Sequence, residues 1–303
     1  MERKDFTVCS AFDGLTVYGS VLTGATTPKA VIQVLHGMCE FREKYFDFAE
    51  YFVENGYAVC IHDHRGHGDS VREAGDLGYF YDRSGEAVVE DAYQVTEWLK
   101  GQFTGVPVYL FGHSLGSMIA RCYLQKHDDG VQKAIICGSP SKNPLVGAAI
   151  IVAKTIGALK GDRHRSKTLY RLSTGKCNDP FPDEGPCAWV TRDGEYVKKY
   201  LGNPKYAFIF TCNGYENLFR LMKNTYDKKR YQVKNPDLPI LFTSGSDDGV
   251  MLSEEKWLRS HADLREVGYK NVGGKVYQGY RHEIHNEIGK EKVLADMLAF
   301  YEK

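Results

Sequence analysis

The sequence has no excess of charge of either sign. Its 303 residues contain 39 Lys and Arg against 39 Asp and Glu, so the formal net charge is zero. A chain without a net positive field has no overall electrostatic attraction for nucleic acid or for an anionic membrane surface. We therefore expect no nucleic-acid partner.

Paired cysteines and long apolar runs are also missing. The eight cysteines include no C-x-x-C pair, which disfavours both a zinc site and a disulfide framework. The longest apolar stretch, PLVGAAIIVAKTIGAL (Pro144 to Leu159), is interrupted by Lys154 and is short for a bilayer span. No apolar run follows the charged N-terminus MERKDFTVCS, so we expect no secretory signal and a cytoplasmic protein.

Short β-branched runs alternate with amphipathic helical patterns through most of the chain. This alternation predicts an α/β fold, in which helices cover both faces of a mostly parallel sheet. The first two runs predict an N-terminal hairpin, and all the runs together predict eight strands. In chain order they are FTVCSAF, LTVYGSVL, AVIQVLHG, YAVCIHD, VPVYLFG, KAIICGS, LPILFTSG and GKVYQGY.

One connection is far longer than a crossover between two strands requires. Residues 141–235 separate KAIICGS from LPILFTSG, where a single helix would suffice. Helical patterns occur within it at 145–159, 195–201 and 215–223, beside the Pro- and Gly-rich stretch CNDPFPDEGPC. We therefore expect residues 1–140 and 236–303 to form the core and residues 141–235 to form an inserted cap over the carboxyl edge of the sheet.

The pentapeptide GHSLG places Ser114 between Gly112 and Gly116. The strand VYLF precedes it and the helical pattern MIARCYLQKH follows, as in a nucleophile elbow. In such an elbow the serine has a strained backbone conformation, and the tight turn leaves no room for side chains on its neighbours. The context predicts a nucleophilic Ser114 rather than an inert glycine-rich turn.

A serine nucleophile needs a base and an acid that orients the base. In this architecture the acid and the base follow the serine in the chain, and two later strands each end in candidates. Asp247 and Asp248 follow LPILFTSG, whereas His282 and His285 follow KVYQGY. His282 is favoured because it lies in the loop two residues beyond the predicted strand, while His285 borders a helix expected near Asn286. The residues alone do not separate the two aspartates.

The negative oxygen formed during acyl attack needs backbone N–H donors. One donor is expected from Leu115, directly after the serine. The other is expected from Met38, in the loop His36-Gly37-Met38 that follows the strand AVIQVL.

The stretch HDHRGHGDS offers a competing metal hypothesis. It contains His62, His64 and His67 together with Asp63 and Asp69, a spacing similar to that of binuclear metallohydrolases. That pattern has an aspartate before its third histidine, where this chain has Gly66, and no distant ligand set is evident. We expect a structural loop with hydrogen-bonded histidines and no metal.

The ordered set of motifs resembles the α/β-hydrolase superfamily, and within it the monoacylglycerol lipase and lysophospholipase-like branch. The set comprises LHGMCEFREKY, DHRGHGDS, GHSLGS, a cap after ICGSP, GSDD and GYRHEIHNE. The resemblance implies that Asp248 is the acid and His282 the base for Ser114, and that the Met38 and Leu115 amides form the oxyanion hole.

This resemblance implies a cofactor-free serine hydrolase acting on a lipid-like monoester, either a monoacylglycerol or a lysophospholipid. The apolar stretch 145–159 would line an acyl tunnel, touch a membrane surface transiently, or pack within the cap. An aminopeptidase or amidase with the same triad is an alternative, for which Asp183, Glu184 and Asp193 could supply an amine subsite. A catalytically silent ligand-binding protein is the alternative of another class.

Overall fold

The computed structural model describes residues 1–303 and contains one eight-stranded sheet. The strand order is β1-β2-β4-β3-β5-β6-β7-β8. β1 and β2 form the predicted hairpin, β2 runs antiparallel to β4, and all other pairs are parallel. The strands are β1 (Glu2–Cys9), β2 (Thr16–Thr23), β3 (Val31–Leu35), β4 (Ala58–His62), β5 (Val108–His113), β6 (Lys133–Cys137), β7 (Ile240–Gly245) and β8 (Val272–Tyr277).

The central strands are apolar on both faces because helices cover both. Every residue of β3 is buried, and its side chains alternate between two hydrophobic clusters. Val31 and Leu35 join the cluster that includes α2 (Ala87–Gln102), α3 (Leu115–His127) and α8 (Glu254–Glu266). Ile32 and Val34 join the cluster that includes α1 (Phe46–Glu54) and α9 (Lys290–Glu302). The predicted α/β-hydrolase fold is confirmed.

Four helices lie between β6 and β7. They are α4 (Val146–Lys160), α5 (Lys167–Ser173), α6 (Gly194–Tyr200) and α7 (Cys212–Thr225), and α7 packs against both α4 and α3. The sequence patterns predicted α4, α6 and α7 but missed α5. None of the helices has both the length and the apolar character that crossing a bilayer demands.

Candidate active site

Ser114 lies in a strained turn between β5 and α3. Its backbone has φ 54° and ψ −114°, a conformation that L-residues rarely adopt. The Ser114 amide donates to Cys137 O at 3.0 Å, and the Ser117 hydroxyl donates to Ser114 O at 2.5 Å. These bonds fix the turn so that the half-buried serine stands at the carboxyl edge of the sheet.

The glycines on either side of Ser114 leave no space for a side chain. A Cβ on Gly116 would lie 1.9 Å from Leu35 O, and one on Gly112 would lie 2.5 Å from Gly116 O. The N-terminus of α3 can therefore pack directly against the end of β3. This steric requirement is the one that the GHSLG motif predicted.

His282 and Asp248 form a buried pair. His282 Nδ1 donates to Asp248 Oδ2 at 2.9 Å, and Asp248 also accepts from the Val250 amide at 3.0 Å and from the Ser244 hydroxyl at 3.2 Å. Burial alone would raise the pKa of Asp248, but His282 and the Val250 amide hold it below its ordinary value. Asp247 is exposed and accepts from the Ser246 hydroxyl instead, so the structure pairs Asp248, not Asp247, with the histidine.

His285 lies behind this pair rather than in a cavity. Its buried ring packs 5.3 Å from Tyr45 and 4.7 Å from His113, measured between ring centroids. The helix expected to begin near Asn286 starts later than predicted: residues 284–286 form a single 3-10 turn, and α9 begins at Lys290. β8 ends at Tyr277, so His282 lies five residues beyond the strand and not two.

Ser114 and His282 line the same cavity, of about 90 Å³. The Nε2 atom of His282 is buried and has no hydrogen-bond partner, so it is free to accept a proton. In unliganded enzymes the bond between nucleophile and base is often long and tightens only with substrate.

The two predicted oxyanion-hole residues lie beside the serine. Met38 follows β3, lines both cavities that adjoin Ser114, and its amide makes no hydrogen bond within the protein. Leu115 is the first residue of α3, and the amide of a first helical residue has no acceptor within the helix. The amide of Gly37, the residue before Met38, donates a hydrogen bond to Glu40 Oε2 at 2.7 Å, and this bond fixes the loop that carries Met38.

A second cavity, of about 370 Å³, also adjoins Ser114. Its lining is mostly apolar. The helices α3, α4 and α7 contribute Met118, Val146, Leu218, Phe219 and Met222, and most of the rest comes from α5, the segment after it, and the loops that follow β6 and β7. The two cavities share Met38, Ser114 and Thr174. Ser114 thus lies at the junction of a large apolar space and a smaller one.

Comparison with known proteins identifies the family. The family model described as serine aminopeptidase, S33, matches residues 26–289 of the chain. The chain belongs to this family. It is a serine hydrolase, and its predicted resemblance to the α/β-hydrolase superfamily and the monoacylglycerol lipase and lysophospholipase-like branch is confirmed.

Individual relatives align with most of the length of this S33 hydrolase. It is 28% identical to a monoglyceride lipase homolog of Monkeypox virus, over 88% of this chain and 86% of the relative. It is 24% identical to the phospholipase YtpA of Bacillus subtilis, over 91% of this chain and 96% of the relative. A solved thermostable carboxyl esterase from Bacillus coagulans superposes with a TM-score of 0.90 at 24% identity, covering 100% of this chain and 98% of the esterase.

A buried charge network under the smaller cavity was missed by the sequence analysis. Lys44 Nζ is completely buried and donates to Glu40 Oε1 at 2.9 Å and to Glu283 Oε1. Burial opposes the charged form of Glu40, yet Lys44 and His113 hold the pKa of Glu40 well below its ordinary value. This network connects the loop of Met38 to the loop of His282. The motif CEFREK shows the charges, but nothing in the sequence pairs Lys44 with a residue 239 positions away.

The histidines of HDHRGHGDS do not form a metal centre. Their rings pack against His36 and one another in tilted and edge-to-face arrangements, with centroids 4.1 Å apart for His36 and His64 and 5.0 Å for His62 and His64. No three His, Cys, Asp or Glu side chains are arranged as a metal-binding group. Asp63 instead accepts from the backbone and side chain of Arg42, so the stretch is a structural loop.

Cys39 lines the smaller cavity, whereas the acidic residues considered for an amine subsite do not line either cavity. Cys39 is buried, donates to Phe208 O at 2.8 Å, and has its thiol pKa raised well above the ordinary value by burial. Glu184 pairs with Arg281, and Asp193 caps the N-terminus of α6. Neither these two nor Asp183 lines a cavity at Ser114.

Proposed function

We propose that this S33 hydrolase cleaves the ester bond of lipid-like monoesters through an acyl-enzyme, with monoacylglycerol as its preferred class. The observation that carries the proposal is the position of Ser114 between the two cavities. One cavity suits an acyl chain and the other a small polar alcohol.

The proposed reaction uses the side chains of Ser114, His282 and Asp248. Ser114 Oγ attacks the ester carbonyl while His282 Nε2 takes its proton, and Asp248 holds the ring and stabilises its charged form. The Met38 and Leu115 amides bind the oxyanion. His282 then protonates the departing alcohol, and a water activated by the same nitrogen hydrolyses the acyl-enzyme. No cofactor enters any step.

The larger cavity is the proposed acyl site. Its walls from α3, α4 and α7 are aliphatic and aromatic, so a hydrocarbon chain that enters it leaves water without losing hydrogen bonds. We assign residues 141–235 as the cap that supplies much of this wall.

The smaller cavity is the proposed alcohol site, and its charges favour glycerol over a phosphate-bearing headgroup. Tyr170, Thr174 and Tyr206 line it beside the acidic residues Glu40 and Glu283, and no Lys or Arg does. A buried phosphate needs a cation or several N–H donors to replace its hydration. We therefore place monoacylglycerol above lysophospholipid as the substrate.

The cap also has a surface suited to transient contact with lipid. On α4, Ile151 is 66% and Leu159 is 80% exposed, and Leu145 just before the helix is 70% exposed. Other α4 residues, Val146 and Ala149, line the larger cavity. An apolar helix face next to the mouth of an acyl site would meet the surface from which a lipid ester is drawn.

Initial rates on a series of esters test the proposal. Wild type and Ser114→Ala are compared on glycerol monoesters from acetyl to palmitoyl, and on lysophosphatidylcholine with a matched palmitoyl chain. We expect rates to peak at medium or long chains, to be lower for the lysophospholipid, and to fall by several orders of magnitude in the variant. Turnover of short esters and aminoacyl amides alone would instead favour the amidase alternative.

A further inference from the structure

Trp189 belongs to the segment between β6 and β7, yet its indole lies on the proposed base. The ring centroids of Trp189 and His282 are 4.7 Å apart and the planes are inclined by 27°, which is a stacked arrangement. His113 packs against the imidazole as well, with centroids 4.7 Å apart and planes inclined by 48°. We propose that Trp189 is a positioning residue that fixes the His282 ring and stabilises its protonated form during catalysis.

Hydrogen bonds from both chain neighbours of His282 hold Trp189 in place. Arg281 Nη1 donates to Ala188 O at 2.8 Å, and the Glu283 amide donates to Val190 O at 2.6 Å. These acceptors are the two residues that flank Trp189 in the chain. The indole and the imidazole are therefore fixed to each other by hydrogen bonds to the backbone on both sides of Trp189, and not only through ring contact.

Buried charges reinforce the same connection. Glu287, 2% exposed, accepts from the Arg192 amide at 3.0 Å, from the Thr191 hydroxyl at 3.2 Å and from the Arg281 amide at 3.1 Å. The Arg281 guanidinium lies 3.7 Å from the ring centroid of Phe181. Burying charges is unfavourable unless they have hydrogen-bond partners, and the segment that carries Trp189 supplies partners to the Glu287 carboxylate and to Nη1 and Nη2 of Arg281.

The chemistry of the proposed step gives this stacking a purpose. The bond to Asp248 fixes one edge of the imidazole but leaves the ring able to tilt, and an aromatic face against it restricts that motion. When His282 takes the serine proton it becomes a cation in a poorly hydrated site, where the negative face of an indole stabilises it. Ionisable groups near the ring are Asp248, His113, Glu283, His285 and Glu40.

The test compares Trp189→Leu with Trp189→Phe, which keeps an aromatic face. We expect the leucine variant to lose kcat by about 3- to 30-fold with little change in KM, and the acid limb of its kcat/KM profile to move to lower pH by about 0.5 to 1.5 units. The phenylalanine variant should recover most of both. Trp98→Leu is the matched control, because Trp98 stacks on Phe6 and does not line either cavity at Ser114.

A second variant separates positioning from folding. Glu287→Gln keeps the size of the side chain but weakens its hydrogen bonds with Arg192 and Thr191. We expect it to lower kcat, as Trp189→Leu does, while urea unfolding still shows a folded protein. An unchanged kcat and pH profile in Trp189→Leu, or a change confined to KM, would overturn the inference.

The inference rests on the proposed function, and the two fail differently. If Ser114→Ala and His282→Ala keep activity, the proposed mechanism fails. If both are inactive while Trp189→Leu matches wild type, only the role of Trp189 fails.

Discussion

His282 Nδ1 lies 2.9 Å from Asp248 Oδ2, and the two side chains are at most 3% exposed. The adjacent Asp247 is exposed and has no contact with the ring. Asp248→Asn should lower kcat by about 10³- to 10⁴-fold, because the neutral amide cannot stabilise the charged ring and its N–H group can donate to Nδ1 and favour the wrong tautomer. Asp247→Asn is the matched control and should keep nearly full activity. Comparable losses in the two variants on a soluble ester would contradict the assignment.

Gly116 should tolerate no side chain. In Gly116→Ala the new Cβ would meet Leu35 O at 1.9 Å, so the elbow or the end of β3 must move. We expect the free energy of unfolding to fall by about 3 kcal/mol or more, together with loss of activity. Gly147→Ala, on α4 with no neighbouring atom within 4 Å, is the control and should be neutral or slightly stabilising in urea titrations.

Acid should destabilise the fold through its buried histidines. Burial lowers the pKa of His36 to about 4 and the pKa of His62 and of His67 to about 3, whereas in the unfolded chain each is near 6.5. The unfolded state therefore binds more protons below pH 6.5, so their contribution to stability is full above that pH and is lost as the pH falls toward 3 to 4.

His62 provides the test because neither of its ring nitrogens has a hydrogen-bond partner. In His62→Leu the free energy of unfolding should fall less steeply between pH 6.5 and 4, by up to about 1.4 kcal/mol per pH unit. Urea titrations at pH 8, 6, 5 and 4.5 measure the slope, and a slope equal to that of wild type would rule out this residue as a source.

Filling the larger cavity should shorten the acceptable acyl chain. Ala149 lies on α4 and lines that cavity, so Ala149→Phe should lower kcat/KM for palmitoyl esters by at least about tenfold and leave acetyl esters nearly unchanged. Ala148→Phe, on the exposed face of the same helix, is the control. An equal effect on all chain lengths would place the acyl chain elsewhere.

The exposed apolar residues of α4 should matter only at a lipid surface. The double variant Ile151→Ser and Leu159→Ser should lose more activity on esters presented in vesicles than on dissolved esters, since each serine removes apolar contact with lipid. Leu258→Ser, which changes a half-exposed leucine of α8, is the control. Ile150 is only 8% exposed and serine there would test folding rather than lipid contact. Equal losses on the two presentations would refute a surface role.

The fold could be read from the sequence because each parallel strand carries its own signal. β3 and β4 are continuous apolar runs with helical patterns between them, and the two glycines of GHSLG mark the elbow by a steric need that acts within five residues. The choice of acid and the choice of base could each be narrowed to two residues. The candidates all follow the ends of parallel strands, which meet at the same edge of the sheet.

The features that escaped prediction depend on residues far apart in the chain. The Lys44–Glu283 pair and the stacking of Trp189 on His282 follow from how loops pack over the sheet edge, for which no periodic pattern exists. α5 was missed because its seven residues, KTLYRLS, are too few to show a helical repeat. The end of β8 was placed too late because the predicted run KVYQGY continues through Gly279, whose φ of 74° is not that of a strand.

In the proposed mechanism, the two cavities that share Ser114 would impose an order on product release. After the first chemical step the alcohol would diffuse out of the smaller space while the acyl chain still fills the larger one. The vacated space beside the carbonyl is then open to water, but also to any other small alcohol of similar shape. Glycerol at high concentration would therefore compete with water for the acyl-enzyme, and the same protein would rebuild monoesters when the alcohol is abundant.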